Sequence, residues 1–276
     1  MKLFSSTPEW LRDLQFWVRR MRAKRPHQHF SNFGEQQIID KYVESLKINS
    51  RTAVDIGAGD GIRSSNTFHL FSDGWKGVGI EVDEAKYERL KKTYSSFAGV
   101  AASNEMISPG NASDVLTTYS VERDFGILSL DIDGNDYWVL DAILSNYRPQ
   151  LIISEYNEKI PPPIKFTVEF DPDFYLRNHF FGYSIAKLDD LLQKHNYALL
   201  EVEYNNVFLA PKELAGAFGK SAEAAYREGY RDRSDRKEKF PSNENMEILH
   251  SLEPEAGIEY LEKFYQEHRG KYRIEL

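Results

Sequence analysis

Three glycines at alternate positions, Gly57, Gly59 and Gly61, follow an apolar run and form the most distinctive short motif of the chain. Glycine has no Cβ, so a ligand can approach the backbone closely at such positions. Glu81 ends the next apolar run, twenty residues after Gly61. A carboxylate at that place can accept hydrogen bonds from both hydroxyl groups of a ribose. Together the two features predict a nucleoside-binding loop between a strand and the helix that the loop opens.

The spacing of the glycines distinguishes between two nucleoside ligands. A dinucleotide fingerprint requires its third glycine three positions after the second, but Ile62 stands there and the glycine is at position 61. This spacing favours S-adenosylmethionine over a nicotinamide dinucleotide. Asp83 is the alternative to Glu81 as the ribose ligand. We assign the cofactor to the loop and to the ends of neighbouring strands, which comprise Asp55, Gly57, Ala58, Gly59, Gly61, Glu81, Val82, Ala102, Ser103 and Asp131.

A second group of chemically competent residues consists of carboxylates at the ends of two further predicted strands, Asp131 and Asp133 on one and Glu155 on the other. Carboxylates grouped in this way repel one another unless they share a proton, a cation or a cationic substrate. Asp133, with Asp131 beside it, is the first candidate for the base that removes a hydroxyl proton. The alternative is structural: Asp131 orients the cofactor, Asp133 fixes a turn and Asp136 caps the next helix.

Two other features belong to the same predicted site. Ligands that are all oxygen suit magnesium or calcium and not zinc, and Asp133 and Glu155 are the candidate ligands. His179, in a loop before the next helix, is the second candidate base, unless it is an ordinary surface histidine. That loop region is rich in aromatic side chains that can stack on a sugar or a base, or seal the loop: Phe166, Phe170, Phe174 and Tyr175.

The elements that must position these residues alternate between short apolar strands and helices, which is typical of a doubly wound parallel sheet. The pattern predicts strands at residues 52–56, 77–81, 99–102, 125–131 and 150–155, with helices after Gly61 and at 84–94, 114–119 and 137–144. A helix at 185–195 and a hairpin at 198–210 follow. We therefore predict an α/β fold of the Rossmann-like class I methyltransferase layout, a mainly parallel seven-stranded sheet with helices on both faces.

Three segments resemble class I methyltransferases, and more narrowly the FkbM-like group. Residues 31–35 (SNFGE) are similar to the element that precedes the domain in that group, 54–61 (VDIGAGDG) to its glycine loop, and 129–134 (SLDIDG) to its acidic motif after the fourth strand. Asn32 stands where the group usually has glutamine, and Asp133 where it usually has glutamate. The likeness covers about residues 30–210 and implies methyl transfer from S-adenosylmethionine.

A second likeness bears on the acceptor. Residues 133–137 (DGNDY) are similar to an acidic element of the macrocin-type sugar O-methyltransferases, although Ser154 and Glu155 replace the aspartate pair of those enzymes. The asparagine-proline-proline-aromatic motif of amino-group methyltransferases is absent, because Glu158 follows Asn157. We therefore predict O-methylation of a sugar hydroxyl in a glycan or a glycosylated metabolite. The alternatives are a non-sugar acceptor, a nucleotide-binding or scaffolding protein without activity, and a dehydrogenase, which the glycine spacing disfavours.

Composition bounds the partners and the compartment. The chain has 35 basic and 43 acidic residues and a net charge of −8, so no nucleic acid partner is expected. It contains no cysteine, which excludes disulfides and thiol nucleophiles. No apolar run is long enough for a membrane span, and the first residues do not resemble a signal core. These features predict a cytoplasmic protein with a small-molecule or glycan acceptor.

Two extensions flank the methyltransferase-like domain at residues 31–212. Residues 1–30 predict a basic amphipathic helix capped by Thr7, with Leu14, Trp17, Val18 and Met21 on one stripe. It can pack on the domain, on a second subunit or on an anionic membrane. Residues 213–276 predict a charged helical extension. A face of that extension with Tyr226, Arg227, Tyr230, Arg231 and Arg233 can bind the phosphate of a substrate, or else face solvent or another subunit.

Overall fold

The structure, a computed structural model, describes residues 8–23, 28–174, 176 and 179–276. The predicted cap Thr7, the basic Lys24 and Arg25, and the loop residue Tyr175 lie outside these residues. In chain order the elements of the domain are α1 (Glu9–Arg22), α2 (Glu35–Ser45), β1 (Thr52–Ile56), α3 (Phe68–Ser72), β2 (Lys76–Ile80), α4 (Glu84–Tyr94), β3 (Val100–Ser103), α5 (Ala112–Thr118), β4 (Ile127–Leu130), α6 (Asp136–Leu144), β5 (Leu151–Glu155), β6 (Lys165–Val168), α7 (Ile185–His195), β7 (Tyr197–Glu203) and β8 (Asn206–Pro211).

Short elements continue the chain beyond the last strand of the main sheet. They are α8 (Lys212–Ala215), a 3-10 turn (Gly216–Phe218), α9 (Ala222–Tyr226), a π-helical turn (Arg227–Arg231), α10 (Arg236–Lys239), a 3-10 segment (Pro241–His250), α11 (Pro254–Phe264), a second 3-10 turn (Gln266–His268) and β9 (Tyr272–Glu275).

Seven strands form one sheet in the order β3-β2-β1-β4-β5-β8-β7. The first five strands run parallel, and β8 is antiparallel to both β5 and β7. The predicted fold class, a Rossmann-like sheet of the class I methyltransferase layout, is therefore confirmed. The chain order reverses between β1 and β4, and such a switch point leaves a crevice at the carboxyl ends of the strands.

Alternation along the strands gives the sheet two buried faces. Val54 contacts the apolar cluster formed with α5, α6 and α7, whereas its neighbour Ala53 packs in the cluster formed with α2, α3 and α4. The helices begin where their sequences offer caps: the side chain of Asp83 accepts a hydrogen bond from the Lys86 N–H, and that of Ser184 accepts one from the Lys187 N–H. The helix layers thus fix the carboxyl edge of the sheet.

The sequence predicted that the glycine loop opens a helix directly, but the structure shows a turn at this position. The Oδ1 atom of Asp60 accepts hydrogen bonds from the N–H groups of Ile62 and Arg63, at 3.0 and 2.8 Å, and this closes a tight turn. The next helix begins only at Phe68. The loop consequently presents backbone at the cleft without a helix N-terminus immediately behind it.

The C-terminal extension packs onto the domain and contributes to its core. Tyr226 and Tyr230 are each 1% exposed and belong to the apolar core. The aromatic side chains of the predicted aromatic and basic face are therefore buried. The strand β9 pairs antiparallel with β6 in a separate two-stranded sheet. Neither β6 nor β9 was predicted from the sequence. For residues 213–276, which include β9, the sequence indicated helices only.

The helix α1 also differs from its predicted packing. Phe16 is its one buried residue and contacts Ile62 and Phe68. Of the predicted apolar stripe, Leu14, Trp17 and Met21 face solvent and Val18 is half-buried. Within the described ranges, the structure has no helix that is long and apolar enough to cross a membrane.

Candidate functional site

The carboxyl ends of β1, β2 and β4 border a cleft of about 370 Å³, which we name the cofactor cleft. Its volume lies in the usual range of small-molecule sites, about 300–1,000 Å³. Five of the residues predicted for the site line this cleft: Gly57, Glu81, Val82, Asp131 and Asp133. The topological switch point, the glycine loop and part of the predicted acidic group thus meet at one place.

Gly57 brings the loop against the neighbouring strand. Its φ is +86°, and a Cβ there would lie 1.7 Å from the carbonyl oxygen of Asp131, so only glycine fits. The N–H groups of Gly57 and Ala58 donate to the carbonyl oxygen of Ile80, at 2.9 and 3.0 Å. Gly59 has a φ of +59° and open space on its Cβ side. A ligand can therefore reach the backbone at Gly59, where a side chain would obstruct it.

Glu81 joins the glycine loop to the end of β2. Its carboxylate accepts hydrogen bonds from the Gly59 N–H at 2.9 Å and from the Asp83 N–H at 2.8 Å, and the residue is 5% exposed. Asp83 accepts a hydrogen bond from the Lys86 N–H and caps α4, and it does not line the cleft. Of the two carboxylates proposed for the ribose, the geometry favours Glu81.

Six other predicted cofactor residues do not line the cleft: Asp55, Ala58, Gly59, Gly61, Ala102 and Ser103. The buried Asp55 carboxyl accepts a hydrogen bond from Thr67 Oγ1 at 2.6 Å, and burial raises its pKa to about 6. Gly61 packs against α4. The Ser103 hydroxyl donates to Glu105 at 2.6 Å. These contacts indicate that Asp55, Gly61 and Ser103 support the loop and the strand ends.

One side of the cofactor cleft was not predicted from the sequence. Glu105, Met106, Ile107 and Ser108 line it in the segment after β3. Asn104 fixes this segment, because its amide donates to the Glu81 carbonyl oxygen at 2.8 Å. The only available signal was position, since these residues directly follow a strand next to the glycine loop. Four more wall residues come from α4 and from two loops: Lys86, Asn135, Phe170 and Phe174.

Three carboxylates, Asp131, Asp133 and Glu155, form a group that we name the acid trio. Each can place one oxygen within 4.8 Å of the others. Asp131 opens onto the cleft, yet the walls around it and the charge of Asp133 raise its pKa to about 8. Burial, and then the charge of Asp131, raise the pKa of Glu155 well above its usual value. Without a bound cation Asp131 and Glu155 therefore retain protons near neutral pH.

Two neighbouring groups hold the acid trio in place. The buried Asp136 carboxylate accepts hydrogen bonds from the N–H groups of Ile132 and Gly134, at 2.9 and 2.8 Å, and so closes the turn that carries Asp133. Asp133 itself has a φ of +59°, a strained conformation for a residue other than glycine. Asn205 donates to Glu155 Oε1 at 2.8 Å. The sequence-based alternative assigned the turn to Asp133 and a helix cap to Asp136, but Asp136 closes the turn, and the Asp133 carboxyl lines both clefts.

A second cleft, of about 390 Å³, adjoins the first, and we name it the acceptor cleft. Asp133 lines both clefts. Glu155, Glu158 and Lys159 supply charged groups to the acceptor cleft. The remaining wall combines polar and aromatic side chains, comprising Leu176, His179, Phe181, Asn205, Phe240, Ser242 and Asn243. Asp133 is therefore the side chain through which the two clefts connect.

The C-terminal extension builds part of this wall. Asn243 is 3% exposed, and its amide donates to Glu158 Oε1 at 2.7 Å and to the Tyr230 hydroxyl at 3.1 Å. Glu158 also forms a buried ion pair with Lys159 at 2.9 Å. The Lys159 ammonium lies 4.4 Å from the ring centroid of Phe181. Polar groups of the extension and of the domain are thus joined in one network.

The arginines predicted to bind a substrate phosphate are placed elsewhere. Arg227 forms an exposed ion pair with Asp232 at 3.1 Å, and Arg233 pairs with Glu203 at 3.0 Å. Neither Arg227 nor Arg231 lines the cofactor cleft or the acceptor cleft. The structure thus gives the phosphate hypothesis no support at these residues.

His179 is buried in the wall of the acceptor cleft and is not a surface residue. It is 8% exposed, and its Nδ1 atom has no hydrogen-bond partner among the residues that the structure describes. Burial, and then the charge of Lys159, lower its pKa. The ring is consequently neutral near pH 7 and can accept a proton from a ligand.

Comparisons with known proteins give similar folds. No family model matches the chain, and no curated protein matches it. The solved structures that are similar include an O-methyltransferase from Bacillus cereus in complex with S-adenosylhomocysteine, at 15% identity over 76% of this chain and 92% of that one, with a TM-score of 0.42. A Clostridium acetobutylicum S-adenosylmethionine-dependent methyltransferase matches at 10% identity over 73% and 98%, with a TM-score of 0.43. The Synechocystis magnesium protoporphyrin IX methyltransferase matches at 14% identity over 74% and 97%, with a TM-score of 0.39.

Proposed function

We propose that this protein is an enzyme that transfers the methyl group of S-adenosylmethionine to a hydroxyl group of a small polar acceptor, and that the acceptor is a sugar. The observation that carries the proposal is the position of Asp133, which lines both the cofactor cleft and the acceptor cleft. Methyl transfer to a hydroxyl group needs the methyl donor and the acceptor in contact, next to a residue that can accept the hydroxyl proton. The sheet order and the glycine loop support the same assignment.

The cofactor cleft fits S-adenosylmethionine in three respects. The backbone at Gly59 is accessible where a Cβ would fill the space. Glu81 offers a carboxylate at the end of the adjacent strand, where ribose hydroxyl groups can donate to it. The Asp133 carboxylate places negative charge in the same cleft, which favours a positively charged sulfur. The ligand supplies an electrophilic methyl group on that sulfur.

In this proposal the Asp133 carboxylate acts as the general base. It accepts the proton of the acceptor hydroxyl while the carbon–sulfur bond breaks and the new oxygen–carbon bond forms, so that S-adenosylhomocysteine is the second product. Burial raises the pKa of Asp133, which brings it closer to that of an effective base, and the charge of Lys86 opposes this shift. His179 faces the acceptor cleft as the second candidate.

The charges of the acceptor cleft bear on the class of acceptor. Among the described residues, three carboxyl groups, Asp133, Glu155 and Glu158, line it together with Lys159, which pairs with Glu158. A phosphorylated acceptor would be repelled, whereas a neutral or amino sugar would find hydrogen-bond partners. Phe181 and Phe240 offer apolar surface to a sugar ring. The proposed acceptor is therefore an uncharged or cationic sugar, and the phosphate-binding alternative raised for the C-terminal extension is not part of the proposal.

Magnesium binding at Asp133 and Glu155 stays a prediction, to which the geometry adds Asp131. Three carboxylate oxygens suit a hard cation, and a cation would remove the repulsion within the acid trio. The test is a methyl-transfer assay after exhaustive chelation. Activity that survives chelation, and does not rise on adding magnesium, would contradict the metal role.

The Asp133→Asn variant tests the catalytic proposal. We expect the turnover number to fall by roughly 10²- to 10⁴-fold, the usual contribution of a general base. The dissociation constant of S-adenosylhomocysteine should stay nearly unchanged, because the amide keeps the shape of the side chain. The assay follows labelled methyl transfer to a panel of neutral sugars, amino sugars and sugar phosphates. Equal losses of turnover and affinity would make Asp133 a structural residue, and transfer to sugar phosphates alone would overturn the acceptor class.

A further inference from the structure

The helix α1 presents its most apolar stripe to solvent. Trp10, Leu14, Trp17 and Met21 are 67%, 53%, 47% and 66% exposed, and their spacing of four, three and four residues places them on one face. A soluble protein rarely exposes such a contiguous patch without a binding role. The patch lies on an element that the proposed reaction does not use.

The opposite face of the helix is anchored to the domain, so the exposed stripe is not a sign of an undocked helix. Phe16 is 1% exposed in a small apolar cluster with Ile62 and Phe68. Arg19 pairs with Asp60, which belongs to the glycine loop. The Arg89 guanidinium donates to Asp13 at 2.7 Å, and the Arg20 guanidinium donates to the Ser96 hydroxyl at 2.9 Å. These contacts fix the helix with its apolar stripe outward.

The charge around the stripe is positive although the chain as a whole carries a net charge of −8. The helix contains four arginines and two acidic residues, Glu9 and Asp13, and Asp13 is neutralised by Arg89. Arg20 lies over the Trp17 ring at 5.4 Å, directly beside the stripe. Arg12 and Arg22 are exposed and form no ion pair with any described residue. Arg20 and Arg22 therefore flank an apolar face that contains two tryptophans, whereas the helical spacing puts Arg12 on the opposite side of α1.

Two occupants fit an apolar stripe, a second copy of this chain and a lipid surface. The four side chains offer on the order of 500 Å² per copy, below the roughly 800 Å² that each partner of a specific complex buries. A symmetric pair of α1 helices would also bring the arginines of both copies to one seam, where like charges repel. An anionic lipid surface instead attracts the arginines and accommodates tryptophan at the headgroup level.

We propose that α1 is an interfacial helix that docks the protein on an anionic lipid surface, with Trp10, Leu14, Trp17 and Met21 inserted among the headgroups and Arg20 and Arg22 over the lipid phosphates. Binding of this kind depends on apolar area and on the surface charge together. The site is separate from both clefts, so it holds whether or not the methyl-transfer proposal is correct.

Vesicle flotation with the full chain tests the proposal. The vesicles consist of phosphatidylcholine alone or of phosphatidylcholine mixed with phosphatidylglycerol. We expect the wild-type protein to float with the mixed vesicles only, and added salt to weaken this binding. Tryptophan emission should shift to shorter wavelength, because Trp75 is buried, Trp138 is half-buried, and Trp10 and Trp17 are the exposed tryptophans of the chain.

Two pairs of variants separate the parts of the surface. The double variant Trp10→Ala/Trp17→Ala should weaken vesicle binding by about tenfold or more, and the single variant Arg22→Gln by roughly fivefold. The controls Ile248→Ala and Arg231→Gln remove an exposed apolar and an exposed basic side chain elsewhere, and should bind as the wild type does. All variants should keep the wild-type melting temperature, since the altered side chains are exposed.

Three results would overturn the proposal. They are no flotation with either kind of vesicle, equal flotation with both, or equal loss in the controls and the α1 variants. A sedimentation experiment adds a fourth: a dimer that the Trp10→Ala/Trp17→Ala variant dissociates would assign the stripe to a second copy of the chain.

Discussion

At the scale of single residues, the site depends on carboxylates whose neighbours decide their roles. Asp55, Asp83 and Asp136 accept hydrogen bonds from the protein and support the loop, a helix and a turn. Asp133 lines both clefts and accepts no hydrogen bond from the described residues, whereas Glu81 lines the cofactor cleft and also accepts hydrogen bonds from two N–H groups of the protein. Sequence spacing could select the group, because the residues follow strands. Sequence spacing could not distinguish the carboxylates that support the fold from those that face a cleft. That distinction depends on which N–H and O–H groups the fold brings to each carboxylate.

Replacing Glu81 by glutamine should weaken binding of S-adenosylhomocysteine by about 1.5–3 kcal/mol, the usual contribution of a hydrogen bond to a charged group. Glutamine keeps the length of the side chain but loses the charge and one acceptor. Calorimetry on the folded variant gives the dissociation constant. Asp83→Asn is the matched control, since Asp83 caps α4 outside the cleft. A larger effect at Asp83 than at Glu81 would reverse the assignment.

At the scale of elements, strong local patterns predicted the core and weak ones missed the periphery. The predicted helices 84–94 and 185–195 match α4 and α7, and each predicted core strand lies within two residues of an observed one. The strands β6 and β9 were missed because each is four residues long and pairs with a segment about a hundred residues away. Asn243 was missed for the same reason, since only folding brings it to Glu158.

The 3-10 segment after α10 should therefore influence the acceptor and not the cofactor. We expect Asn243→Ala to raise the Michaelis constant of the acceptor, because it removes a wall residue and leaves Glu158 without one of its partners. The affinity for S-adenosylhomocysteine should not change. Steady-state kinetics with varied acceptor measures the effect.

Tyr226→Phe is the control for this prediction. It removes a hydrogen bond to the Glu158 carbonyl oxygen but lies outside the acceptor cleft. It should lower the free energy of unfolding by about 1 kcal/mol and leave the Michaelis constant unchanged. The same rise in both variants would show that the acceptor cleft responds to stability alone.

At the scale of the whole molecule, the buried carboxyls make stability depend on pH. Burial raises the pKa values of Asp55 and Asp136 to about 6, and the pKa of Asp131 is raised to about 8. A carboxyl whose pKa is higher in the folded than in the unfolded state stabilises the fold while it is protonated. That contribution is lost as the pH rises through the folded pKa.

The melting temperature of the ligand-free protein should therefore fall as the pH is raised from about 5 to 8, through the pKa values of these groups. Asp131→Asn should flatten this dependence, because the amide does not titrate. Asp73→Asn, at an exposed position, should leave it unchanged. Calorimetric melting at several pH values is the measurement. A melting temperature that rises over this range would show that the acid trio is ionised in the folded protein.

The central claim is that the glycine loop binds S-adenosylmethionine and its product. It is tested most directly by titrating S-adenosylhomocysteine into the wild-type protein and into the Gly59→Val and Gly74→Val variants, with NAD as the competing ligand. Both glycines have positive φ and open space on the Cβ side, but only Gly59 lies in the loop. We predict micromolar binding to the wild type and to Gly74→Val, none to Gly59→Val, and none of NAD. Equal binding by the two variants, or preference for NAD, would contradict the account.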